Sequence, residues 1–252
     1  AAEEAELASV SAAVGEAFEK WLAGRPLEAP LPGQIGHFPF DEYKDGKLPN
    51  LAPESKPASS SQKNKIVPGK NGNALRLTGD DGVNLGIGNF KRTAPFSVAL
   101  WMNTPHHKER TVVFSRSRAW TDAGSRGYQM LLRDGHLSVS LIHFWPGNAI
   151  SVRTRVKLPK NEWHHVAITY DGSTRAAGLK IFVDGKPAEI EIVKDHLYKN
   201  ITGGGGDTIA DAVEDHRAIV GEPAGNVAIG PAAVHRQRRR QIPVIQRQER
   251  RH

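Results

Sequence analysis

Through the middle of the chain, apolar and polar residues change places at every second position. In 96–103, Phe96, Val98, Leu100 and Met102 alternate with Ser97, Ala99, Trp101 and Asn103. In 136–143, Leu137, Val139 and Leu141 alternate with Ser138, Ser140 and Ile142. Leu179, Ile181 and Val183 share a face, and so do Ile190 and Ile192. A period of two sends neighbouring side chains to opposite faces, so the pattern predicts half-buried antiparallel strands rather than helices. Further strands are predicted at 74–78, 82–86, 110–116, 127–132, 149–157 and 163–170. The turns agree. Asp134-Gly135 and Asp184-Gly185 each separate two alternating runs, and Asp-Gly accepts the positive φ angles of a type I′ hairpin. Ten or more short strands with no helical run between them predict an all-β fold: two antiparallel sheets packed as a jelly-roll sandwich.

The flanks have a different texture. Over residues 1–24, Leu7, Val10, Val14, Phe18 and Trp21 recur at three- and four-residue steps, which predicts an amphipathic helix. Glu3, Glu4 and Glu6 stand at its start and Lys20 near its end, as the helix dipole favours. Its stripe suits docking either on its own domain or on a partner. The segment 25–36, RPLEAPLPGQIG, is a semi-rigid linker. The sandwich is expected over 37–210, with an irregular, exposed loop within 42–72. Residues 211–252 read as a disordered basic tail, since no aromatic residue follows Tyr198 and no pattern there could pack a core.

Composition narrows the chemistry. The chain has 252 residues and no cysteine, which excludes a disulfide scaffold, a thiolate metal site, a cysteine nucleophile and covalently attached haem within it. The net charge of +7 is local: residues 231–252 hold seven arginines and one acid. The other 230 residues hold 27 basic and 26 acidic side chains, so no basic face for nucleic acid is expected. No apolar run reaches the ~18 residues of a membrane span, and AAEEAEL does not read as a signal peptide.

The segment NEWHHVAITYDGSTRAAGLKIFVDGKP (161–187) resembles the signature of laminin-G-like domains in the concanavalin A-like lectin/glucanase superfamily. A Trp-His-x-Val-Ala strand leads to Tyr-Asp-Gly, and a second strand ends in a Val-Asp-Gly hairpin. GKNGNALRLTGDDGVNLG (69–86) and FSVALW (96–101) resemble the opening strands of that family. FPFDE (38–42), SRSRAWTDAGSRGYQ (115–129), HFWPGNAISVRT (143–154) and ITGGGGDTIA (201–210) are similar to the laminin-G-like segment of large planctomycete cytochrome-c-type proteins. That resemblance implies an exported multidomain parent, extracellular, at the cell surface or periplasmic. After 210 the family's closing strands do not appear. The simultaneous loss of aromatics and of alternation points to a frame change or aberrant terminus, with an authentic disordered tail as the alternative. The first of these would leave a sheet edge open.

Candidate sites follow from residue type. Glu189 and Glu191 share a strand face like the paired acids of glycosidases, but position 193 is valine and not a third acid. Asp80 and Asp81 precede a turn glycine and are candidate calcium ligands, although aspartate also favours turns for reasons of its own. Asp41, Glu42, Asp45 and Asp207 invite the same two readings. His164 and His165 are adjacent on a strand, face opposite ways and cannot chelate together. Gly86-Ile87-Gly88 lacks the third glycine of a dinucleotide fingerprint and reads as a turn. Two loops carry the richer set: Arg118, Trp120 and Asp122 in one, Trp145 and Asn148 in the other. Brought together they would offer flat rings for the apolar face of a sugar and polar groups for its hydroxyls. The other reading is that both tryptophans cap the core. The expected function is a non-catalytic recognition or adhesion module for a glycan or a neighbouring protein domain. The alternatives are a structural insert in a surface cytochrome-type protein and, after it, a glycoside hydrolase. Neither nucleic-acid binding nor membrane insertion is expected.

Overall fold

The computed structural model describes residues 31–53, 55–60, 64–77, 82–117, 126–203, 208–209 and 218–221, together with Gly15 and Lys20. The chain first forms β1 (Lys47–Leu48), β2 (Ala58–Ser59), β3 (Lys65–Pro68), β4 (Asn73–Leu77) and β5 (Val83–Asn84). Five longer strands follow: β6 (Phe96–Asn103), β7 (Thr111–Arg116), β8 (Gly127–Arg133), β9 (His136–Phe144) and β10 (Asn148–Thr154). After β11 (Trp163–Tyr170) come a 3-10 turn (Ala176–Gly178), β12 (Leu179–Val183), β13 (Lys186–Pro187) and β14 (Ile190–His196). Two short strands, β15 (Thr208–Ile209) and β16 (Ala218–Gly221), end the described chain.

Every pairing is antiparallel. One sheet runs β1-β2-β5-β15-β7-β8-β9-β10-β14 and the other β13-β12-β11-β6-β16-β4-β3. Strands β6 and β11 have the bounds expected from alternation, and each buries every second residue. Phe96, Val98, Leu100 and Met102 point inward, as do His164, Val166, Ile168 and Tyr170, while Trp101 and His165 lie half-buried on the other side. The two Asp-Gly turns take positive φ at both residues, Asp134 and Gly135, Asp184 and Gly185. That is the type I′ geometry their sequence favours.

Aromatic rings join the sheets. Phe96 stacks on Phe90 with centroids 4.5 Å apart and meets Tyr128 at 5.0 Å and Tyr170 at 5.7 Å. Phe114 of the opposite sheet meets Tyr128 at 5.7 Å. The Tyr128 hydroxyl donates to the Gly88 carbonyl at 2.8 Å. Gly88 has φ +84°, and a Cβ there would stand 2.4 Å from that hydroxyl, so the turn requires glycine for space and conformation.

Three expectations concern the flanks. The helix over 1–24 lies outside the described residues apart from Gly15 and Lys20, both of which have helical backbone. The linker lies outside them up to residue 30. The sandwich was expected over 37–210, with a sheet edge open if the terminus is aberrant; beyond that bound, the backbone of Ala218–Gly221 pairs with β4 on one side and β6 on the other. Its β-branched Ile219 and Val220 suit extended backbone, a signal too short to register as alternation. Residues 222–252 lie outside the described chain. Among the described residues, no helix is long and apolar enough to cross a membrane.

Phe96→Ala removes the ring shared by both sheets. It is expected to cost about 3–5 kcal/mol, read as a lowered urea midpoint; a loss within error would place the main sheet contact elsewhere.

Candidate ligand-binding site

Where β9 turns into β10, the chain reads His143-Phe144-Trp145-Pro146-Gly147-Asn148 and contains a cis peptide bond at Trp145-Pro146. Phe144 and Asn148 are opposite each other in the ladder, yet their side chains fare differently. Phe144 is 55% exposed, Trp145 is half-buried and Asn148 is buried. The Oδ1 atom of Asn148 accepts hydrogen bonds from the amides of Tyr198 at 3.1 Å and Lys199 at 3.2 Å. It thus fixes the segment after β14 to the hairpin. Its Nδ2 is buried and makes no hydrogen bond among the described residues.

His143 makes a second tie. Its Nδ1–H donates to the Asn200 carbonyl at 2.6 Å, which leaves Nε2 to accept from Arg126 at 3.5 Å. The Asn200 side chain accepts from the Arg92 amide at 3.1 Å, and the Arg92 carbonyl accepts from the Tyr170 hydroxyl. The network therefore runs from the core ring cluster to the surface. Tyr198 is held with its ring 56% exposed and lies edge-on to His196, with centroids 5.1 Å apart. Exposed aromatic, amide and cationic groups thus stand on hydrogen-bonded backbone at one end of the nine-stranded sheet.

Of the residues expected here, Trp145 is at the hairpin tip and accessible, whereas Asn148 spends its oxygen on backbone amides. Arg118, Trp120 and Asp122 lie outside the described residues. Arg126, on the far flank of their loop, does reach His143. Phe144, Tyr198 and Asn200 were not singled out from sequence. Each is an ordinary strand-end residue there, and only the cross-links from Asn148 and His143 bring them to one end.

The other candidates resolve differently. Asp80, Asp81 and Asp207 lie outside the described residues. The Asp41 carboxylate accepts from the Asn73 amide at 2.9 Å and serves the backbone. Glu191 is gripped by Arg153, whose Nε donates to it at 2.7 Å and whose Nη2 donates to the same oxygen. Among the described residues, no three His, Asp or Glu side chains converge in a way that could hold a metal ion.

The adjacent histidines do face opposite ways and meet one acid. The Asp184 carboxylate accepts from His164 Nδ1 at 2.8 Å and from the His165 amide at 2.9 Å. Burial works against its charge, but those two hydrogen bonds and the charges of both histidines outweigh it and hold the carboxyl below its usual range. The His165 ring lies tilted against Trp101 with centroids 5.5 Å apart. Burial lowers its pKa from 6.5, against a smaller pull upward from Asp184. Sequence marked Asp184 as a turn residue and gave no sign of this double role.

A family model described as the concanavalin A-like lectin/glucanases superfamily matches residues 77–217, over half of the chain. The chain belongs to that superfamily. No curated protein matches it. Among solved structures, the binding domain of Paraclostridial mosquitocidal protein 1 is similar at TM-score 0.59 and 12% identity, covering 79% of this chain and 49% of that one. The binding domain of botulinum neurotoxin DC in complex with SialylT gives 0.56 and 12%, covering 79% and 48%. A botulinum neurotoxin type C structure, described as dependent on two ganglioside molecules for cell entry, gives 0.54 and 12%, covering 78% and 47%. The match spans about half the length of each of these chains, and at such identity the likeness is one of fold.

A folded His165 that resists protonation makes the unfolded chain bind that proton at higher pH. Stability is therefore expected to fall as pH drops through 6.5 towards the lower folded value. The Asp184 contribution is present above its ordinary 3.8 and is lost as pH falls through its lower folded value. Urea midpoints should decline between about pH 7.5 and 5.5 in the parent and less in His165→Gln; an equal decline in both would contradict the assignment.

Proposed function

We propose that this chain is a non-catalytic recognition module that binds a glycan at the end of the sandwich formed by the β9–β10 hairpin and residues 196–200. The observation that carries the reading is the exposure of Phe144 and Tyr198 on backbone already fixed by Asn148 and His143. A sugar ring offers an apolar C–H face to an aromatic side chain and hydroxyls to amides and cations. Phe144, Trp145 and Tyr198 supply the rings, and Lys199, Asn200 and Arg126 supply the polar groups. Because the segments are joined before ligand arrives, little ordering entropy opposes binding. Arg118, Trp120 and Asp122 belong to the same site on this reading, through the loop that Arg126 flanks.

Glycan recognition also agrees with the superfamily and with the sialyl and ganglioside ligands named for two of the similar structures. A catalytic role is disfavoured by the engagement of Glu191 with Arg153. On this proposal the module works within a larger exported protein of the planctomycete cytochrome-c type, outside the cell or in the periplasm. A second reading, packing against a neighbouring domain, draws on the exposed Ile192 and Val193 of edge strand β14.

A glycan array probed with the purified chain, with calcium and with chelator, tests the proposal. Binding to at least one glycan class is expected, with affinity about tenfold lower in Phe144→Ala and in Tyr198→Ala. Asn148→Ala should weaken it as well, by freeing the 198–199 segment. Binding untouched by all three substitutions would place the site elsewhere; no binding, with an association disrupted by Ile192→Lys, would favour the second reading.

A further inference from the structure

The two sheets differ on their outer faces. On the seven-stranded sheet, Ser97, Ala99, Trp101, His165 and Ala167 are all half-buried, as expected of a face touched by water. The nine-stranded sheet is different. Its register aligns Val112, Leu131 and Ser138 in one row and Gln129, Ser140 and Ser151 in the next. Ile142 and Ala149 form a third. All point away from the core, opposite Met130, Val139 and Ile150. Leu131 and Ile142 are nevertheless 2% exposed, Ser140 3% and Ser151 1%. Every described strand belongs to one of the two sheets, and the 3-10 turn buries Ala176 in the core between them. No described strand or helix lies over this face, yet these four residues are closed to water, while Gln129 is half-buried and Arg153, opposite Ser138, is exposed at the margin.

We infer that the amphipathic segment 1–24 is the cover: a helix laying Leu7, Val10, Val14, Phe18 and Trp21 across β7–β10 as a third layer. Gly15 and Lys20, the two described residues of the segment, have helical backbone and are exposed. At 100° per residue both fall about 100–120° from the centre of the apolar stripe. A Cβ placed on Gly15 would touch nothing within 4 Å. A helix docked by its stripe leaves both of these positions in solvent, as they are. The floor suits it: Ser138, Ser140, Ser151 and Ala149 are small, so a helix can approach closely and set Phe18 and Trp21 against Leu131 and Ile142. The tether suffices as well. Ile35 packs against the core, and residues 25–34 can span up to about 35 Å when extended. The sheet face is thereby withdrawn from ligands, and recognition is left to the loop end. This inference does not depend on the glycan reading.

The chain has no cysteine, so Ser140→Cys places a single thiol under the proposed helix. Its reaction with a soluble disulfide reagent is expected to be at least about tenfold slower than that of an exposed Lys157→Cys control. Phe18→Asp or Trp21→Asp, added to Ser140→Cys, should each accelerate it by about tenfold, while Ser9→Asp, opposite the stripe, should not. Unchanged β-sheet circular dichroism separates undocking from unfolding, and Leu7→Asp repeats the test near the start of the helix. A thiol that stays protected in every stripe variant would assign the cover to another segment and overturn the inference. Protection that vanishes on dilution of the parent would assign it to a second copy and overturn it equally.

Discussion

The structure depends on one apolar interior closed between two sheets, tied across its middle by stacked rings. Phe96 and Tyr170 come from one sheet, Phe114 and Tyr128 from the other, and Phe90 fills the space above Phe96. Each such side chain gains about 1.5–3 kcal/mol from leaving water, so a handful of rings rivals the net stability of a small domain. The strands are correspondingly constrained: a register slip of one residue would turn Phe96 out and Trp101 in. Hydroxyls of the buried tyrosines reach loop carbonyls, Gly88 for Tyr128 and Arg92 for Tyr170. The core therefore sets the positions of the loops above it.

That coupling is what makes the loop end a credible recognition surface. Arg92, placed by Tyr170, holds Asn200. Asn200 holds His143, and His143 accepts from Arg126. Asn148 adds the tie to 198–199 from inside the hairpin. Aromatic side chains left in water by a rigid frame present a surface whose desolvation favours binding, with few rotors left to freeze. Along the sheet edge that leads into this end, strand β14 carries Glu191, Lys194 and Asp195, charges that discourage strand addition by other chains.

Much of the fold was legible because alternation and turn chemistry act locally. Phe96–Asn103 and Trp163–Tyr170 each expose one face, so period two is undiluted in their sequences. Asp134-Gly135 and Asp184-Gly185 could hardly be anything but tight turns. Strand β9 was legible too, although Ile142 is apolar on the outer side and breaks the alternation. Strand β16 escaped notice because four residues carry no period. The site was less legible still. Asn148 looked like a ligand contact because asparagine at a hairpin tip is usually free, but here its oxygen is occupied by two amides. Phe144 and Tyr198 are 54 residues apart in sequence, and only the pairing of β10 with both β9 and β14 brings their backbones together. Asp184 shows the same limit: its turn is local, whereas its grip on His164 and His165 spans about twenty residues.

The claim at the centre of this account is that an exposed aromatic end, anchored to the core, is where the molecule meets a sugar. Chemical-shift mapping of the isotopically labelled chain during titration with soluble sialylated and neutral oligosaccharides tests it most directly. The account expects saturable shifts confined to the rings of Phe144, Trp145 and Tyr198 and to the amides of Lys199 and Asn200. Shifts centred instead on Trp101 and His165, on the outer face of the seven-stranded sheet, would contradict it.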